Sequence, residues 1–148
     1  MVRKLIRASL FAALGSMAMI LSFGAVTTAQ DKKGDKKDEK LPDISEIMAK
    51  AHGKTDGYIA QLRTSVKGAK WEDADKTAKD FTLIADALSK NKPPKGDAKS
   101  WETQTKKYIG QVKTVSDAVE KKDAKATIAG LDTIQKSCGG CHGPHKPK

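Results

Sequence analysis

Apolar residues recur along this chain at alternating steps of four and three, in four separate stretches, and no stretch alternates convincingly with the period of a strand. A repeat near 3.5 draws one apolar seam along an α-helix. The first seam is Ile44, Met48, Ala51, Thr55, Tyr58 and Leu62, opening at Asp43, which can cap, with Glu46 as its capping-box partner. Lys67-Gly68-Ala69-Lys70 breaks it. The second carries Trp71, Ala74, Ala78, Phe81, Ala85 and Leu88, and stops before Pro93-Pro94, where a helix cannot continue. After a turn at Gly96-Asp97 the third carries Trp101, Thr105, Tyr108, Val112, Val115 and Val119. Lys121-Lys122-Asp123 leads to the fourth, with Ala124, Ile128, Leu131, Ile134 and Cys138. Short links set neighbouring helices antiparallel. The expected fold is all-α: an antiparallel up-down-up-down four-helix bundle over residues 43–148. Its seams hold more Ala and Thr than Leu and Phe, so side chains alone make a thin core. A bulky apolar group between the helices would supply the missing volume.

The 148 residues allow one domain and a tail. Arg3, Lys4 and Arg7 precede an uncharged stretch from Ala8 to Val26, and Thr27-Thr28-Ala29 follows. This is the layout of a secretory signal peptide, expected over residues 1–29, with a retained membrane anchor as the alternative. No cysteine lies near the expected cut, which argues against a lipoprotein, and no other stretch is apolar enough to cross a membrane. Gln30 to Lys40 is a run of Asp, Glu and Lys with nothing to bury, so residues 30–42 are expected as a charged disordered linker. The chain is expected in a periplasm or otherwise exported, where thiols are normally oxidised. Removing Arg3, Lys4 and Arg7 takes the formal charge from +10 to +7. The lysines are interleaved with acids and aromatics are few, which argues against nucleic-acid binding and favours acidic protein partners.

The two cysteines stand in Cys138-Gly139-Gly140-Cys141-His142, the spacing of a c-type haem attachment site. Two thiols three residues apart on a helical turn can each add to one vinyl group of a single porphyrin. The adjacent histidine is then held beneath the iron. A thiol-redox pair would stand at the start of a helix after a strand, whereas this pair ends a helical pattern. A zinc site would need two more ligands, and only His52 and His145 remain. One covalent haem c is therefore the expected cofactor, held by Cys138 and Cys141, with His142 on the iron.

An attachment site on the last helix of a bundle, running into Gly143-Pro144-His145-Lys146, resembles the class II c-type cytochromes, the family of cytochrome c prime and its low-spin relatives. The resemblance covers residues 43–148, with its one sharp motif at the haem site. Family members usually carry an aromatic three positions after the haem histidine and a basic residue four after it. Here His145 stands in the first position and Lys146 matches the second. The resemblance implies a left-handed bundle, one haem near the end where the first and last helices meet, and often a homodimer.

In that topology the second axial ligand comes from the first turns of helix one. Met48 is the expected ligand; His52, on the same face one turn deeper, is the alternative, and an open five-coordinate iron is the third arrangement. His145 is expected in solvent or on a propionate, Lys146 near the axial histidine or a propionate, and Trp71 and Trp101 in the core. Gly53 and Gly57 either admit a close approach to the haem or mark a kink. The expected function is electron transfer with redox partner proteins. A nitric oxide or carbon monoxide binding module is the alternative, and no enzyme chemistry is expected.

Overall fold

The computed structural model describes residues 40–147, so the expected leader and most of the expected linker lie outside the described residues. Among the described residues five helices follow one another: α1 (Ile44–His52), α2 (Tyr58–Lys67), α3 (Trp71–Lys90), α4 (Ala98–Glu120) and α5 (Ala124–His145). No strand occurs among the described residues.

Local signals set most of the ends. Asp43, Asp97 and Asp123 each accept a backbone N–H three residues ahead, from Glu46 (2.8 Å), Ser100 (2.8 Å) and Ala126 (2.9 Å). Each satisfies a first-turn donor that the helix itself leaves unpaired. At the other ends, Ala69 and Lys122 take left-handed φ values of 52° and 54°. The residue after each then reaches back across the last turn: Lys70 N–H donates to Ser65 O at 2.8 Å, and Asp123 N–H to Ala118 O at 2.9 Å. These are Schellman closures that supply donors to otherwise orphaned carbonyls.

The first expected helix is in fact two. The chain leaves the helix at Gly53 and resumes it at Tyr58. Glycine is the poorest helix former after proline, and this segment has two of them four residues apart. Gly57 N–H donates to Gly53 O at 3.1 Å, and the two backbones touch. A Cβ on Gly57 would overlap the Gly53 nitrogen and lie 2.6 Å from its carbonyl oxygen. The break also changes which residues are inside. Ile47, Ala51, Ile59, Leu62 and Val66 are buried, Thr55 is exposed, and Ile44 and Met48 are only half-buried. The expected seams of α3 and α4 hold, with Trp71 and Tyr108 half-buried and the rest inside.

α4 packs against both α3 and α5, and α2 packs on α3 and α5. Phe81, Leu62, Val112, Val115, Leu131 and Ile134 fill the interior. Gly130 brings α5 close to α4, where a Cβ would stand 2.7 Å from a Val115 methyl. The backbone of α1 packs on α2 and α3: none of its Cα atoms lies within 8 Å of one in α4 or α5. Its outer face therefore looks across a gap.

Gly57→Ala should destabilise the fold by about 1–3 kcal/mol, because the new methyl meets backbone that cannot swing away. Gly110→Ala, on α4 with nothing within 4 Å of the added carbon, should stabilise it by about 0.8–1 kcal/mol through helix propensity alone. Urea unfolding of both variants checks the pair; a neutral Gly57→Ala would show that sterics do not hold the break.

Candidate functional site

Cys138, Cys141, His142 and His145 all fall within α5, at positions i, i+3, i+4 and i+7. Such positions share one helical face. Gly139, Gly140 and Gly143 are exposed, and added carbons on Gly139 and Gly143 would meet nothing within 4 Å. The last turns thus carry side chains on one side and bare backbone on the other. Pro144 brings no N–H, so the Gly140 carbonyl lacks its helical donor, and its exposure leaves that oxygen to water. Both thiols are free and half-buried, while His142 is exposed. Burial, and then the neighbouring Cys138, push the Cys141 thiol above its usual range.

This face borders the gap left by α1, which opens into three adjoining cavities. The innermost, ≈ 40 Å³, lies among Met48, Tyr108, Ile134, Cys138 and Cys141. One flank, ≈ 510 Å³, is walled by Met48, His52, Lys54, Arg63, Cys138 and His142. The other, ≈ 350 Å³, is walled by Ile44, Met48, Trp101, Cys141, His142 and His145. Met48 lines all three. Cys138, Cys141 and His142 each line two. The site residues read from the sequence thus border one set of adjoining cavities, although no Cα of α1 lies within 8 Å of one in α5.

His52 borders the same gap but has a partner. Its Nε2 is 3.0 Å from the Tyr108 hydroxyl, so one hydrogen bond spans from the end of α1 to α4. Burial, and then the nearby His142, lower its pKa and favour the neutral ring. Burial, with Cys138 a lesser influence, raises the Tyr108 phenol and keeps it protonated. Met48 is thus the sulfur donor facing the Cys138–His142 turn, and the Nε2 of His52 is already committed. Below it, Arg63 Nη2 donates to Asp132 at 2.5 Å and Gln135 at 2.8 Å, closing α2 onto α5.

His145 departs from expectation. It is 2% exposed rather than in solvent. Its Nδ1 is 2.9 Å from Lys95 O and its Nε2 3.1 Å from Ser100 Oγ. A carbonyl only accepts, so Nδ1 carries the proton, and in the neutral ring Nε2 accepts from the serine. The ring stands edge-on to buried Trp101, with centroids 5.3 Å apart. Lys146 is exposed.

Comparison with protein-family models, with curated proteins and with solved structures finds no match. The chemistry of this site rests on its own geometry. Among the described residues no three His, Cys, Asp or Glu side chains converge as a bare ion would need. The donors instead face one another across a space with apolar walls, two thiols and an imidazole on one side and a thioether on the other. That donor set fits a flat macrocycle tethered through sulfur and ligated at its centre.

Sequence reasoning missed Tyr108 as the partner of His52. The signal was present: a tyrosine on an apolar seam needs a partner for its hydroxyl. Tyr108→Phe should remove the bridge and lower stability by about 0.5–1.5 kcal/mol, the net worth of one such bond. Denaturant unfolding gives the value, and an unchanged midpoint would mean that the bridge contributes nothing.

Proposed function

We propose that this chain is an exported monohaem c-type cytochrome that transfers electrons. Its fold is read as an up-down-up-down four-helix bundle in which α1 and α2 share one helix position. One observation carries this reading: Cys138, Cys141 and His142 share a face of α5 bordering a gap that Met48 lines from the far side. Cys138 and Cys141 would hold the haem as thioethers, each S–H adding across one vinyl group so that nothing leaves. His142 would offer an imidazole to the iron, and Met48 a thioether. Bound there, the haem supplies a one-electron iron couple whose potential axial ligation and burial tune.

The chain's own residues do the rest. Leu88 and Ile134, both buried, put apolar walls on the gap, and half-buried Ile44 extends them. Covalent attachment keeps the group in place in either oxidation state. Exposed Lys54, Lys107 and Lys146 stand around the cavities and favour an acidic partner surface. Electron transfer needs no nucleophile or general base.

Protein made with haem-attachment machinery should keep its Soret absorbance through acid–acetone extraction, and loss of all colour would sink covalent attachment. His142→Ala should change the spectrum at once. The oxidised wild type should show the red charge-transfer band of iron–methionine ligation. Met48→Ala should remove it and open the reduced iron to carbon monoxide, while His52→Ala should leave the band in place. A wild type that binds carbon monoxide immediately would turn the assignment to a five-coordinate gas-binding haem.

A further inference from the structure

No Cα of α1 lies within 8 Å of one in α5, the two walls of the gap, and something must set that separation. Beside the ≈ 350 Å³ cavity, a line of polar contacts runs between them. Asn91, just beyond α3, donates from Nδ2 to Pro42 O at 3.2 Å, at the threshold of α1, and to Ala87 O at 3.0 Å. Its own carbonyl accepts the Trp101 indole N–H at 2.8 Å. Trp101 meets His145 edge to face. His145 then holds the α3–α4 connection through Lys95 O and the first turn of α4 through Ser100 Oγ. Gly96, at φ +83°, lets this connection lie against the end of α5, where a Cβ would be 2.7 Å from Pro144 O and 3.1 Å from His145 Nδ1. The line thus joins the start of α1 to the last turn of α5.

We propose that His145 is a positioning residue: it pins the last turn of α5 to the α3–α4 connection and so fixes how His142 faces Met48 across the gap. This rests on the haem reading above. His142 is exposed and no hydrogen bond orients its ring among the described contacts, so its aim depends on the backbone of its own turn. That turn lacks one helical hydrogen bond at Pro144 and carries three glycines, each adding backbone freedom. A doubly bonded, buried ring one turn beyond His142 is the anchor for this loose segment.

The test uses the full mature chain, with haem attached and also without it. His145→Phe keeps the ring packed on Trp101 but removes both hydrogen bonds. His145→Asn retains a donor near the Nδ1 position, and Ser100→Ala removes one bond at a less buried site. Hydrogen exchange of the 141–146 amides should accelerate about tenfold or more in His145→Phe, as losing two net hydrogen bonds implies. Exchange in α2 should stay unchanged. In the haem-loaded protein the ferric EPR spectrum and the midpoint potential should shift with His145→Phe, shift less with Ser100→Ala, and return toward wild type with His145→Asn. Val66→Ala, remote on α2, should lower stability without moving the EPR spectrum. If exchange accelerates but EPR spectrum and potential stay fixed, His145 is only structural and the proposal is overturned. Unchanged exchange overturns it as well. If the wild type takes up no covalent haem, the functional reading itself has failed, a result distinct from either.

Discussion

The separation of α1 from α5 is the constraint that organises this molecule. α4 packs between α3 and α5, so these two cannot meet directly, and whatever precedes α3 must cover the seam between them. α2 does so: it packs on both helices, and Arg63 ties it to Asp132 and Gln135. α1 does not. The break at Gly53–Gly57 redirects the chain before the covering is complete, and α1 settles on α2 and α3 with Met48 facing open space. One pair of glycines thus separates a closed half of the bundle from an open half, and the cysteines lie in the open half.

The thin core follows from the same arrangement. Ala51, Ala74, Ala78 and Ala85 are all buried, and they let the helices approach closely where no large side chain intervenes. Bulk comes from Phe81, from Ile47 and Leu62, and from the aliphatic residues of α4 and α5. Toward the gap, buried Leu88 and Ile134 give way to half-buried Ile44, Met48, Tyr108 and Cys141, which pack against the core.

Much of this could be read from the sequence, for identifiable reasons. Asp43 and Asp123 were legible as caps because their effect is local. The faces of α3 and α4 were legible because those helices run uninterrupted for five turns or more and the period has room to declare itself. The first seam misled. A regular spacing can be traced straight through Gly53 and Gly57, and periodicity does not register that a backbone contact stops the helix. That Cys138, Cys141 and His142 share a helical face was legible from their spacing, while Met48 was expected nearby from the topology the resemblance implies, and it lines the same cavities. The burial of His145 was not legible, since its partners Lys95 and Ser100 lie 50 and 45 residues away. Nothing in a tail of Gly, Pro, His and Lys announces a buried ring.

The slight attachment of α1 has a consequence for how the chain comes together. α3, α4 and α5 are consecutive and joined by short connections, so their mutual contacts are local and cheap to close in entropy. α1 buries only Ile47 and Ala51 fully, and an element with so few buried contacts is the kind that docks late and opens first. The two thiols therefore look toward the wall of the pocket that the fewest buried residues hold in place.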